Sequence, residues 1–327
     1  MANNSSEKKL KKAIESIMKN AQYENFEEWV SNFSNNLSNI WNEQSLKRLI
    51  PNDTELQKNR TAIVIGRGPS IDKNKHLELL ASSDFNGAVI CCDGKLVDAL
   101  KAGVTPDRFP KFFVVTIDPY FRTKRYYEDD IILKYGSKIE GIFSIVSHPT
   151  TVELARNKGI KINWVHSLLD YNEGIKSFNN ISALMIRSKN KLHKLPAIQT
   201  GGNTGTAAWF IGWQILKCDE IVLIGINHGW NEEDGWEKII FHGETEKEIS
   251  EGVERNSKSF NKLYKKIYNP DFKTYCIVDP LFQFYSEGFK EFIQRSPKWL
   301  TTINATEGGS IFGSRIKSLK FSEYLKK

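Results

Sequence analysis

At 327 residues, 40% of them hydrophobic and 12% aromatic, the chain can bury a full α/β core and still carry an appended element. No apolar run approaches the roughly 18 residues a membrane helix needs, and the first residues are polar rather than signal-like. The net charge of +7 is spread over basic runs at Lys8 to Lys12, Arg187 to Lys194 and Arg315 to Lys327, and no aromatic-interleaved basic motif argues for nucleic acid as a partner.

Four cysteines (Cys91, Cys92, Cys218, Cys276) lack CxxC spacing, which predicts reduced core thiols in a cytoplasmic protein. The first 57 residues read as a helical arm. Apolar spacing is helical through Leu10, Ile14, Ile17, Met18 and Ala21, and again through Phe26, Trp29, Val30, Phe33 and Leu37. Residues 20–25 break the two helices, and Pro51-Asn52-Asp53 ends the arm. From residue 58 to 313 strands and helices alternate. Strands are expected at 61–66, 88–92, 112–117, 140–145, 161–165, 221–226 and 274–278. Helices are expected at 72–82, 94–102, 149–157, 206–217 and 245–267. Residues 166–196 are polar and weakly periodic and read as an insertion or lid, and 314–327 as a basic tail. This rhythm predicts a Rossmann-like, doubly wound, mostly parallel sheet with ligands at the C-terminal strand ends.

Two glycine turns carry the binding argument. The stretch Gln199-Thr200-Gly201-Gly202-Asn203-Thr204-Gly205 opens straight into an apolar helix. It would leave backbone N–H groups pointing outward at the positive end of that helix, as an anion site requires. The same turn could instead be a helix start capped by Asn203 or Thr204 that binds nothing. Upstream, Gly66-Arg67-Gly68-Pro69-Ser70 ends the first strand of the sheet, with Asp72 placed to cap the next helix. It lacks the third glycine of a dinucleotide fingerprint and the Lys-Ser/Thr of a Walker loop.

Strand ends supply the candidate chemistry. Asp93 and Asp118 follow two neighbouring strands, where paired carboxylates could hold a divalent cation bridging phosphates. Each has a local alternative: Asp93 as a cap for the helix from Lys95, Asp118 as the start of a turn before Pro119. After the late strand, Asn227-His228-Gly229 and, further out, His242 offer general bases. No His/Cys cluster has zinc spacing.

These residues resemble the motility accessory factor and MptE-like proteins. The resemblance rests on Gly66 to Asn74, Asp93, Thr105-Pro106-Asp107, Thr116-Ile117-Asp118-Pro119, Gly201 to Ala207, Ile221 to Ile226 and Asn304-Ala305-Thr306-Glu307-Gly308-Gly309. The first glycine turn and the Gly225-Ile226-Asn227 strand end also resemble bacterial sialyltransferases that use CMP-sugars. Such a resemblance implies one of two activities. One is transfer of a nonulosonic (sialic-acid-like) sugar from a CMP donor to a hydroxyl acceptor, on a protein Ser/Thr or a glycan. The other is ATP-dependent diphosphorylation of 6-hydroxymethyl-7,8-dihydropterin with Mg2+. Thr-Ile-Asp-Pro at the third strand end, where the pterin enzymes carry Asp-Leu-Asp-Gly, places the chain nearer the sugar-transferring side. Asn227 stands where motility factors often have Asp, which leaves a catalytically silent nucleotide-binding scaffold as a third reading.

On this resemblance Gly66, Gly68, Pro69, Ser70 and Asn227 line the nucleotide, and Thr200, Gly201, Gly202, Asn203 and Thr204 bind its phosphate. Asp93 or Asp118 takes ribose, or metal in the diphosphokinase case. His242, with His228 second, deprotonates the acceptor. A homo-oligomer is compatible with this reading.

Overall fold

The computed structural model describes residues 25–52, 60–169, 177–187, 194–233 and 264–326. The expected first helix of the arm, the helical segment 245–263 and His242 lie outside the described residues.

The core is a parallel sheet. Its strands are β1 (Gln44–Ser45), β2 (Thr61–Ile65), β3 (Ala88–Cys92), β4 (Phe112–Thr116), β5 (Glu140–Ser144), β6 (Lys161–Leu168), β7 (Ala197–Gln199), β8 (Glu220–Ile224), β12 (Thr301–Asn304) and β13 (Ile316–Ser318). A separate antiparallel sheet holds β9 (Trp230–Asn231), β10 (Lys265–Asn269) and β11 (Thr274–Val278). The spatial order β1-β6-β5-β4-β3-β2-β8-β12-β13, with β7 also on β6, is parallel at every pairing. From β2 the chain moves outward through β3, β4, β5 and β6, then returns to place β8 on the other side of β2. The switch point is therefore between β2 and β8, where the connections leave in opposite directions and open a crevice.

Nearly continuous apolar strands are what a sheet covered on both faces demands. Alternate residues divide between two cores: Ile63, Ile65, Val89 and Cys91 face one way, Ala62, Val64, Ala88 and Ile90 the other. The second face is covered by the helix Thr204–Phe210, continued by a π turn at Ile211–Ile215, and by the helix Pro280–Arg295. All four cysteines are buried and free, and no described helix is long and apolar enough to cross a membrane.

The helix Phe26–Asn42 of the arm is bolted to the sheet. Trp29, Phe33 and Ile40 are buried, and Asn32 Nδ2 donates to the carbonyls of Pro119 and Val146 at 2.8 and 3.0 Å. This anchors the segment that follows Asp118.

Several elements differ from expectation. Lys265–Asn269, whose first three residues were expected to end the helix 245–267, is a strand pairing antiparallel with Thr274–Val278. Asn269 Oδ1 accepts from the backbone N–H groups of Asp271 and Phe272, closing a hairpin turn that a 3.6-residue reading overlooks. The stretch read as an insertion or lid contains a helix, Phe178–Arg187, whose Phe178 ring lies 5.8 Å from that of Phe33. The presumed C-terminal tail supplies strand β13 and the fully buried Phe321. Asp72 does not cap: it lies inside the helix Ser70–Lys73 and accepts from Lys95 Nζ at 2.8 Å.

Candidate functional site

Both glycine turns converge on the tip of β8. Gly66 N–H donates to Ile224 O and Gly68 N–H to Gly225 O, each at 2.8 Å. The Ile226 side chain then lies against both turns. A Cβ added at Gly66 or at Gly205 would collide with its Cδ1, and one at Gly68 would come within 2.7 Å of Gly225 O. These glycines are consumed by backbone contact between strand tips, where the sequence suggested space for a ligand. Pro69 begins the helix Ser70–Lys73 at φ −64°, and the buried Ser70 hydroxyl donates to Asn227 Oδ1 at 2.8 Å. Asn227 is thus a clasp between the β2 and β8 tips.

The Asn304 to Ser310 segment explains itself here as scaffolding. Ser310 N–H donates to Asn227 O at 2.9 Å and its hydroxyl to His228 O at 2.8 Å. Asn304 Nδ2 donates to Ile311 O at 2.6 Å, so the whole loop cradles the β8 tip from the far side.

In the second turn, Asn203 Oδ1 accepts from Thr206 N–H at 2.9 Å, which is the cap of the local alternative. Gly201 and Gly202 have φ of 56° and 80°, and Gly202 faces the Tyr285 ring of the helix Pro280–Arg295. Thr200 is buried, and its hydroxyl accepts from Gly202 N–H at 3.2 Å. Thr204 opens the helix and stays partly exposed at the crevice edge.

Asp93 and Asp118 are brought together at the tips of β3 and β4, beside the first turn. Asp93 is buried; its Oδ1 accepts from Gly94 N–H at 2.7 Å, and the Thr116 hydroxyl also interacts with its carboxylate. Burial, with the Asp118 charge adding to it, pushes the Asp93 carboxyl up to about 7, against smaller pulls from the Thr116 hydroxyl, the Gly94 N–H and Arg67. Burial also raises Asp118, with Arg122 opposing. Asp93 does not cap the helix Leu96–Lys101, since its bond goes to the adjacent Gly94. Two carboxylates at neighbouring strand tips suit a divalent cation that takes its remaining ligands from phosphate oxygens. Among the described residues no group of three or more His, Cys, Asp or Glu could hold a metal without such a ligand.

His228 is not available as a base. It has φ 41°, and its ring lies 6.3, 6.2 and 5.8 Å from those of Phe282, Tyr285 and Phe289. Burial in this aromatic cage, with Lys290 nearby, depresses the imidazole to about 3. The strand-tip position suggested exposure, but the helix Pro280–Arg295 closes over it.

The sequence reading also missed a cationic wall. Tyr120 to Tyr127, directly after the β4 tip, does interleave aromatics with Arg122, Lys124 and Arg125, contrary to the expectation that the chain has no such run. Arg67 of the first turn reaches across to Tyr126 Oη at 2.6 Å. Three cations among the eight residues from Tyr120 to Tyr127, just past a strand tip, were the available signal. A surface cavity along the β1–β6 edge is lined by Arg48, Arg156 and Lys161, but their charges are met by Glu140 and Glu43, away from the crevice.

Fold and crevice define a doubly wound α/β protein with its polar cluster at the switch point. A family model described as MptE-like, 6-hydroxymethylpterin diphosphokinase MptE-like, matches residues 31–233, and the chain belongs to that family. Among solved structures, the MAf glycosyltransferase from Magnetospirillum magneticum AMB-1 is similar, with a TM-score of 0.53 at 14% identity over 81% of this chain. At that identity the likeness is one of fold. The chain spans 34% of that protein's length. Among curated proteins none matches significantly.

Proposed function

We propose that the chain is a nucleotide-dependent transferase that moves a nonulosonic-acid-type glycosyl group from a CMP-activated donor to a hydroxyl acceptor on a protein, a glycan or a small molecule. The observation carrying this reading is the convergence of Gly66 to Ser70, Thr200 to Thr204, Asp93 and Asp118 around the β2–β8 switch point. The family and the fold shared with a protein named as a glycosyltransferase support it. In this scheme the first turn, its glycines spent on the β8 tip, flanks the nucleotide through Arg67, the second meets the phosphate, and Asp93 or Asp118 takes a ribose hydroxyl. A CMP leaving group develops charge on a single phosphate, which oriented N–H groups and arginines can stabilise without metal. His242 remains the proposed base that deprotonates the acceptor.

A second reading is supported by the paired carboxylates: ATP-dependent diphosphorylation of a hydroxymethylpterin, with Mg2+ between Asp93, Asp118 and the phosphates. Thermal-shift titration with CMP, CDP, UDP, ATP and GTP, with and without Mg2+, separates the two. Metal-independent stabilisation by CMP is expected. Stabilisation by ATP alone, and only with Mg2+, would replace the first reading by the second. Binding without turnover on any donor would leave a silent scaffold. Asp118→Asn should weaken nucleotide binding by about 1–3 kcal/mol, the scale of a charged hydrogen-bond partner. Repeating that titration in EDTA tells a sugar contact from a metal ligand.

A further inference from the structure

We infer that Arg67 and Arg125, which converge on the hydroxyl of Tyr126, form a clamp for an anionic group, a phosphate or a carboxylate, on the rim of the switch-point crevice. Arg67 Nη1 donates to Tyr126 Oη at 2.6 Å and Arg125 Nη2 donates to the same oxygen at 3.1 Å. Both guanidinium carbons also stand over that ring, at 5.4 and 5.0 Å from its centroid. One neutral phenol oxygen is thus the shared acceptor of two full positive charges. Like charges held this close repel, and a neutral acceptor offsets little of it.

Other cations nearby are balanced. Lys124 has Glu128 at 3.9 Å, Lys101 has Asp129 at 2.6 Å, and Lys95 lies between Asp72 and Asp98, at 2.8 Å from each. Arg67 and Arg125 have no carboxylate at ion-pair distance among the described residues, although Asp93 is near enough to feel Arg67. Both side chains are exposed, and each guanidinium carries further N–H donors beyond the one held by Tyr126. Gly94 keeps the passage open: a Cβ there would lie 2.9 Å from Arg67 Cδ. Forked planar donors match phosphate and carboxylate oxygens, and fixing two of them in advance lowers the entropy lost on binding.

The source of the anion rests on the function proposed above. A CMP-sugar of the nonulosonic type offers both a phosphate and a sugar carboxylate, whereas the clamp itself needs only an anion. Isothermal titration of the full chain with inorganic pyrophosphate, CMP and N-acetylneuraminate should be run on wild type, Arg67→Gln, Arg125→Gln and Tyr126→Phe. Arg295→Gln serves as control, because it removes the same charge from an exposed site already paired with Glu291. The clamp predicts about tenfold or greater weakening for at least one anion in both Arg variants, a smaller loss in Tyr126→Phe, and no change in the control. Loss for CMP and pyrophosphate identifies the phosphate, and loss for N-acetylneuraminate alone the carboxylate. Dependence on Arg125 for pyrophosphate, with no binding of CMP or N-acetylneuraminate, would keep the clamp and remove the CMP-sugar reading. Wild-type affinities in both Arg variants, or no binding of any of the three anions by wild type, would overturn the clamp.

Discussion

His228 and Asp93 are both buried near strand tips, and burial has moved each toward its neutral form. For His228 the folded value of about 3 lies below the usual 6.5, so acid protonates the unfolded chain first. Its contribution to stability is whole above pH 6.5 and is lost as pH falls toward 3, by about 2 kcal/mol at pH 5. Asp93 has the opposite sign. Its folded value of about 7 lies above the usual 3.8, so its contribution is present in acid and lost as pH rises through 7. His228→Asn should therefore flatten the fall in urea midpoint between pH 7 and 5, whatever it does to the midpoint itself. Asp93→Asn copies the protonated acid, and should raise stability at pH 8 while the gain vanishes near pH 4. A carboxylate kept where it costs stability is a usual mark of a functional position. An Asp93→Asn protein no more stable than wild type at pH 8 would remove that argument.

The two glycine turns act as interlocking pieces more than as open cradles. Gly66 meets the backbone of Gly225, so Gly66→Ala must push the β2 and β8 tips apart. We expect a loss of about 2 kcal/mol in unfolding free energy, with nucleotide affinity falling alongside it. Ser70→Ala removes only the hydrogen bond to Asn227 and should cost about 1 kcal/mol. Gly202→Val combines a left-handed φ with a collision at Tyr285, so a lowered melting temperature is the expected result. Loss of binding in that variant would then report strain as much as a blocked phosphate site. A Gly202→Val protein that melts like wild type would show that Tyr285 can move aside.

Across the molecule, an early and a late segment of the chain complete opposite edges of one sheet. Gln44–Ser45 pairs with β6, and Ile316–Ser318 pairs with β12. Glu307 ties the C-terminal edge inward, its Oε1 accepting from Phe321 N–H at 3.0 Å and lying 3.3 Å from His76 Nε2. Phe321 is fully buried, 5.3 Å from the His76 ring. Phe321→Ala should cost about 3–5 kcal/mol, and a chain ending at Gly313 should melt far lower and expose the β12 edge. Calorimetry of both variants checks this. Melting of the shortened chain within a degree or two of wild type would mean that the last strand is dispensable.

Periodicity along the chain was enough for the parallel core. Strands such as 88–92 and 112–116 are continuous apolar runs, and 149–157 repeats at helical spacing behind a proline start, so local pattern and final structure agree. The glycine turns were equally plain as turns, because φ > 0 and close backbone approach leave a compositional mark. Chain pattern alone could not say what those glycines meet, since Ile226 and Tyr285 come from elements far along the sequence. Nor could it show that His228 is sealed by Phe282, Tyr285 and Phe289, or that Arg67 and Arg125 share Tyr126. Periodicity reports which face of one element is apolar. Burial of a polar atom and the pairing of charges depend on which elements the sheet order places side by side, and that order was settled by packing.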